Sequence, residues 1–295
     1  MTGRDIDIAS MSLAEAEALA RRTSMREVGT RPPFGRYLRD LWSRRHFLWT
    51  LSSARSFARN EGQRFGQLWA FVNPLLLIAT YFFIFGFLLN TTRGVDNFVG
   101  FLSIGVILFG VSAATLTAGS RAILNNTGLV RALQFPRAIL PISVVLTEVI
   151  SLLPGLVVLL LIMPLAGETP NWGWLLLPIP IVFQLLQQVG MVLVLARVVN
   201  ASVDVWNLVP VAVRVMRYLS GVFFSVTAVT SGNPTLGAVL EYQPFALQLT
   251  LVRQLLMEEF PIQWMDWAIG AGWALVLPIF GLWIFWIDEA RYGRG

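Results

Sequence analysis

From about Leu68 onward the chain alternates long apolar runs with short polar breaks, whereas the sixty-odd residues before it are polar and rich in arginine. A bilayer core takes roughly 20 apolar residues as a helix. Six segments meet that length: 68–89, 98–120, 139–165, 174–197, 205–228 and 266–287. Lipid offers no water to backbone polar groups, so each segment is expected to be helical. Pro74, Pro154, Pro178, Pro180, Pro210 and Pro278 fall within these runs, where kinks or first-turn positions accommodate them. The first apolar run begins too late for a cleavable signal peptide, so none is expected.

Two regions depart from the simple alternation. The first is the N-terminal part. Residues 1–34 are polar, with a weak helical patch, and are expected to be disordered or loosely held. Residues 35–66 mix arginines with Tyr37, Leu38, Leu41, Trp42, Leu48 and Trp49. Leu38, Leu41, Trp42 and Trp49 share one helical face, although Phe47 and Leu51 fall opposite, which predicts an amphipathic helix lying in the headgroup layer. The second is the stretch of about 232–260 before the last apolar run. It is too apolar for an ordinary loop and too short for two further crossings. A re-entrant helical pair at the outer mouth is expected there, with a surface-lying helix as the alternative. Tyr242, Gln243, Pro244 and Arg253 are its candidate gate residues.

Composition turns this pattern into a class. Of 295 residues, 56% are hydrophobic and only 13% charged; soluble domains carry about 25% charged residues. The fold expected is therefore all-α and integral to the membrane: six transmembrane helices (67–288), an N-terminal interfacial amphipathic helix, a re-entrant outer segment and a short tail (289–295). There is no cysteine, and His46 is the single histidine, so a His/Cys metal site is not available. All 22 basic residues are arginine. Without lysine the chain has no GxxxxGK[ST] phosphate loop and cannot be a P-loop ATPase. No metal or cofactor is expected on the chain itself.

The arginines also orient it. With the N-terminus inside, twelve precede the first span, three (Arg121, Arg131, Arg137) lie between the second and third, Arg197 ends the fourth, and Arg291 and Arg294 follow the last. Only Arg93 and Arg253 fall on the other side. The positive-inside rule then places both termini in the cytoplasm.

Candidate chemistry gathers in three places. In "GLVRALQFPRAILP" (128–141), Asn125, Asn126 or Thr127 can cap a short helix, and Leu129, Val130 and Leu133 form an i, i+1, i+4 face that a groove can accept. Arg131 adds charge, Phe135 an anchor, and Pro136 and Arg137 close the segment. Arg214 and Arg217, three residues apart in the fifth run, share a face. They either snorkel toward the headgroups or line the mouth of a route for an anionic, phosphate-bearing cargo. Glu148 is the one carboxylate deep in a run and is expected to partner one of them. Tyr81, Phe82 and Phe85 in the first run, with Phe223 and Phe224 in the fifth, are aromatics that either pack against lipid or line a path through the bilayer.

Three stretches carry a family resemblance: "RFGQLWAFVNPLLLIATYFFIFG" (64–86), "NNTGLVRALQFPRAILPISVVL" (125–146) and "YQPFALQLTLVRQLL" (242–256). In this order they resemble type-2 ABC transporter permeases of the polysaccharide-exporting branch, the membrane subunits for O-antigen, teichoic acid and galactan. The middle stretch is the most specific. Departures from the family pattern are Gln243-Pro244 in place of Asn-Pro, and a separated Arg197 and Asp204 in place of an Arg-Asp pair.

The resemblance implies a homodimer in the bacterial plasma membrane that works with two separate ATPase subunits, which would hold ATP and Mg. The 128–141 segment is then the coupling helix seated on the ATPase, with Arg197 and Asp204 as a second contact. The cargo implied is a lipid-linked polysaccharide, with a cell-wall galactan as the first guess; a drug- or lipid-exporting permease is the alternative. A membrane enzyme finds no paired carboxylates among Asp96, Glu168, Glu241, Glu258, Glu259 and Asp266. A secondary transporter would show internal repeats, and six spans leave no room for a nucleic-acid binder.

Overall fold

The computed structural model describes residues 32–59, 64–88, 95–230 and 232–292. The polar segment 1–31, Arg93 and Arg294 lie outside the described residues. Among those described every regular element is helical. Five helical stretches are long and apolar enough to cross a membrane: Gly66–Leu88, Phe98–Ser120, Ile139–Leu165, Trp172–Ala201 and Trp264–Ile287.

The helices are α1 (Phe34–Ser43), α2 (Arg45–Ala58), α3 (Trp69–Phe82, continued by a wider turn over Phe83–Leu88), α4 (Phe98–Ser120), α5 (Thr127–Ala132) and α6 (Ile139–Leu165). There follow α7 (Pro178–Ala201), α8 (Leu208–Leu219), α9 (Val226–Val229), α10 (Pro234–Glu241), α11 (Pro244–Leu256) and α12 (Trp264–Ile287). Pro178 and Pro180 open α7, and Pro210 lies in the first turn of α8, where no intrahelical donor is lost. Pro74, Pro154 and Pro278 sit inside α3, α6 and α12.

The core is built around α4, which packs against α3, α6, α7, α8 and α11. Phe101, Leu102, Ile104 and Leu108 are fully covered there. The most extensive helix pair is α7 with α12. It depends on two glycines: a Cβ on Gly190 would stand 2.2 Å from the backbone of Leu277, and one on Gly281 would stand 2.4 Å from the carbonyl oxygen of Gly190. Small residues that let backbones touch are the usual means of joining helices where no hydrophobic gain separates protein from lipid.

Two expectations need correction. The fifth apolar run, 205–228, is not one continuous helix. It begins as a 3-10 turn (Val203–Asn207), continues as α8 for 12 residues, and breaks at Ser220–Gly221. Gly221 has φ +67, a left-handed conformation that an L-residue adopts only at a cost. At 1.5 Å per residue α8 is only about 18 Å long. Hydropathy does not register such a break, because Ser-Gly among valines and phenylalanines barely lowers the mean. The helix expected over 35–66 is likewise divided, at Arg44, into α1 and α2.

Candidate functional sites at the two ends of the bundle

At the end of the bundle where α4 stops and α6 begins, α2 lies along α6 through a ladder of polar side chains. Ser52 donates to the carbonyl of Ser143 at 3.0 Å, and Thr147 donates to the carbonyl of Ser52 at 3.2 Å. Arg55 reaches Ser143 Oγ at 3.0 Å and Asn126 Oδ1 at 2.8 Å, and the hydroxyls of Ser56 and Ser151 lie 3.0 Å apart. Arg59 grips Glu148 with both terminal nitrogens, one at 3.0 Å. Ser52, Arg55, Ser56 and Arg59 follow i, i+3, i+4, i+7 spacing, one stripe of a helix. That stripe was present in the sequence, but as hydroxyls and arginines it gave no apolar signal. Glu148 is thus the partner of Arg59, and neither Arg214 nor Arg217 pairs with it.

The 128–141 segment forms the short helix α5, followed by an extended Leu133. None of the three proposed capping side chains caps it. Asn126 instead donates to the carbonyl of Ala122 at 2.7 Å and accepts from Arg55. The expected face of Leu129, Val130 and Leu133 is split. Val130 is buried with Ala122 and Leu140, Leu129 and Phe135 pack against that cluster, and Leu133 and Arg131 face outward. Phe135 also meets Phe47 edge-on at 6.0 Å. Pro136 is buried.

Beyond it lies a clasp that no local sequence pattern announces. Glu289 accepts from Tyr37 Oη at 3.0 Å and from the backbone N–H of Arg137 at 2.9 Å, while the guanidinium of Arg137 donates to the carbonyl of Glu289. The backbone N–H of Ala138 donates to Tyr37 Oη at 3.2 Å. Arg197 pairs with Asp288 at 2.6 Å. The 128–141 segment, α1, the end of α7 and the end of α12 are thereby tied at one point, with Arg137 and Arg197 engaged inside the chain. Asp204 is exposed and apart from Arg197. Burial raises the carboxyl of Glu289 above its ordinary 4.5, opposed by the bonds from Arg137 and Tyr37.

Higher along the bundle the structure brings several predicted residues together. Tyr81, Phe85 and Phe223 form a triangle with ring centroids 4.8 to 6.3 Å apart, joined by Tyr218 at 5.4 Å from Phe223. Arg217 donates to Tyr81 Oη at 3.1 Å and lies over the ring of Phe109. Phe223 is fully covered, so it props the cluster and offers no open face. Phe224 is half-buried, while Phe82 and Arg214 are exposed.

Near the opposite end, α11 runs back along α4. Phe245 meets Phe109, Arg253 reaches Phe101, and Leu255 lies against Gly173. Its first turn is therefore about 17 Å from the Phe98 end of α4, the rise of eleven residues. The joint between α10 and α11 is held from two sides: Gln243 donates to the carbonyl of Leu219 at 2.8 Å, and Trp273 donates to the carbonyl of Tyr242 at 2.9 Å. Pro244 starts α11.

Arg253 is buried with its guanidinium stacked 3.4 Å over Phe101 and bonded to the carbonyl of Gly221 at 2.9 Å. A cavity of about 150 Å³ beside it is lined by Ser220, Thr250, Gln254, Glu241 and Asp266 among others. A second, more open groove of about 400 Å³ lies at the first end, between Arg59, Arg121, Asn125 and Trp206. Among the described residues no cluster of His, Asp or Glu could hold a metal ion.

No family model matches the chain. Curated relatives do. The chain is 24% identical over 217 residues to the O-antigen export system permease protein RfbA of Myxococcus xanthus, covering 70% of this chain and 83% of that protein. It is 24% identical over 200 residues to a protein of the same name from Klebsiella pneumoniae, covering 68% and 75%. A second Klebsiella pneumoniae RfbA is 22% identical over the same length. These relatives bear out the resemblance to polysaccharide-exporting ABC permeases.

Proposed function

We propose that this chain is the membrane-spanning permease subunit of an ATP-driven exporter that carries a lipid-linked polysaccharide from the cytoplasm to the outer face of the plasma membrane. The observation that carries this reading is the similarity to O-antigen export permeases along about 70% of the chain. The geometry fits it. The helix α1, the segment α5 with Arg131, and the clasp at Glu289 lie at the end expected to face the cytoplasm. In this reading α8 and the α10–α11 pair share the fifth crossing: α8 rises partway, and the pair dips in from outside to meet it at Gln243 and Leu219. Irregular backbone at that depth survives because protein surrounds it.

Two copies complete the conduit. The Gly66–Leu88 stretch has only 6% of its most apolar window covered, and α8 exposes Leu208, Val211 and Val215, so these are the faces two copies would share. ATP with Mg would bind two separate ATPase subunits. Their closure would push on α5 through Arg131 and Leu133, and the clasp of Tyr37, Arg137 and Glu289 would pass that displacement to α1 and α12. Arg217 beside Tyr81, and Arg214 below it, would meet the phosphates of the cargo.

Depletion of the protein in its own cells, followed by extraction of polyprenol-linked glycans, tests the reading. Accumulation of one long lipid-linked polysaccharide supports it and identifies the cargo, with a cell-wall galactan the first to look for. Normal glycan levels would redirect it to a drug- or lipid-exporting permease of the same architecture. Coupling is tested separately with Arg131→Glu and Phe135→Asp, which are expected to leave ATP hydrolysis in the assembled complex while abolishing export; wild-type export in both would end that assignment.

A further inference from the structure

The open groove of about 400 Å³ is bounded by Ala114, Thr117, Ala118 and Arg121 on α4, by Asn125, by Arg59 and Glu148, and by Trp206. Among the described residues Glu148 is the only carboxylate on its wall, and Arg59 already holds it through both terminal nitrogens. Arg55, beside it, is bonded only to neutral groups, Ser143 and Asn126. Arg121 forms no ion pair among the described residues. Its guanidinium stacks 4.3 Å from the ring of Trp206, and its Nε is buried with no hydrogen-bond partner among the described residues. Trp206 Nε1 is buried and unpartnered in the same way.

Buried donors without acceptors cost about 1–3 kcal/mol each, and both belong to residues that line this groove. Stacking on Trp206 holds the Arg121 fork in one plane, the form in which arginine recognises phosphate oxygens with paired donors. Asn125 is exposed at the rim and offers an amide, and Arg59, 45% exposed, adds charge. The groove opens between α4 and α6, and α3 packs on both of these helices while leaving Leu75, Leu76 and Leu77 uncovered. A phosphate in the recess would thus have an apolar surface close by for an attached chain.

We propose that this groove binds the phosphate head of a membrane lipid, with Arg121 as the principal donor, Arg59 and Asn125 at the rim and Trp206 as the stacking wall. Two sources share that chemistry, the polyprenyl pyrophosphate of the exported cargo and an anionic phospholipid. Assigning the site to cargo rests on the export reading; the phosphate site itself does not.

The full-length chain in nanodiscs of phosphatidylcholine is offered undecaprenyl pyrophosphate, undecaprenol or phosphatidylglycerol, and retained lipid is measured by native mass spectrometry. Retention of undecaprenyl pyrophosphate over undecaprenol is expected. Arg121→Gln should weaken it at least about tenfold, the loss of one charge-assisted bond, and Arg291→Gln in the exposed tail should not. Asn125→Ala, expected to cost about threefold, carries the test if Arg121→Gln does not fold. Retention of phosphatidylglycerol alone, lost in Arg121→Gln, keeps the phosphate site and makes its occupant a resident lipid. Equal binding of undecaprenol, or unchanged binding in folded Arg121→Gln, overturns the proposal. Because glycan accumulation on depletion is read independently, an Arg121-sensitive phosphate site without accumulation would sink the export reading alone, and accumulation with an Arg121-insensitive chain would sink the site alone.

Discussion

The first two apolar stretches of this protein are nearly indistinguishable by length and hydropathy and opposite in what surrounds them. Gly66–Leu88 and Phe98–Ser120 each have 23 residues and similar mean hydropathy, but only 6% of the most apolar window of the first is buried within the chain, against 72% for the second. The difference lies in residue size. The second stretch carries Gly100, Ser103, Gly105, Ser112, Thr115 and Gly119 at its contacts. A Cβ on Gly105 would stand 2.8 Å from the carbonyl oxygen of Val222, and one on Gly119 would stand 2.5 Å from Val192. The first presents Leu75, Leu76, Leu77, Phe83 and Phe87 outward. Hydropathy places a segment in the membrane; small residues decide whether other helices or something outside the chain will cover it.

The largest effect is expected where that rule is strictest. Gly105→Leu drives a side chain into the backbone at Val222 and should cost about 3 kcal/mol or more, seen as loss of the monodisperse peak after heating in detergent. Leu108→Ala, at a fully covered position, should cost about 3 kcal/mol. Leu76→Ala, 55% exposed on the first stretch, should cost less than about 1 kcal/mol in the same assay. Equal losses at Leu76 and Leu108 would break the comparison. A drop in the dimer fraction on dilution for Leu76→Ala, at unchanged thermal midpoint, would sharpen it by assigning the bare face to a second copy.

A middling effect is expected where α2 meets α6. Arg59→Ala strands the carboxylate of Glu148, which is 5% exposed. Removing one partner of a buried pair is costly, but Arg59 is partly solvated, so about 2 kcal/mol is expected. Arg59→Ala with Glu148→Gln should recover most of it. No recovery would mean that the ladder of Ser52, Arg55 and Ser56 depends on Arg59 for its geometry and not for its charge.

These cases also show what the sequence could convey. Apolar run length located five helical stretches to within a few residues, because each must satisfy its own backbone. It could not detect the break at Gly221, where one left-handed residue redirects the chain while the average stays high. Spacing marked the start of a short helix near Thr127 with an apolar side, but the helix ends at Ala132, short of the proline expected to stop it. Which side turns outward was not legible: a six-residue helix needs its own anchor, and Val130 serves as one. Tyr81, Phe85, Phe223 and Arg217 were each singled out in isolation, and only the fold joins them. The Tyr37–Glu289 bond spans 252 positions, a separation at which no local pattern exists.

The smallest expected effect concerns the clasp, a polar counterpart to the glycine contacts of the second stretch. Burial lifts the carboxyl of Glu289 above its ordinary 4.5, against the lowering influence of the Arg137 N–H, the Tyr37 hydroxyl and the Arg137 guanidinium. Tyr37 itself ionises well above its ordinary 10.0, chiefly through burial, so it remains a donor throughout. A carboxyl raised in the folded state binds its proton more tightly there than in the unfolded chain. Its contribution to stability is therefore fully present below 4.5 and declines as pH rises through the raised value, the reverse of an ordinary ion-paired carboxylate. The thermal midpoint of the wild type should fall over that window by more than that of Glu289→Gln, whose amide does not titrate and keeps one acceptor, for Tyr37 or the Arg137 N–H but not for both. Parallel pH profiles would mean that the three hydrogen bonds and the facing Arg197–Asp288 pair fully offset the burial of Glu289. The tie between the 128–141 segment and α12 would then hold at neutral pH as well as in acid.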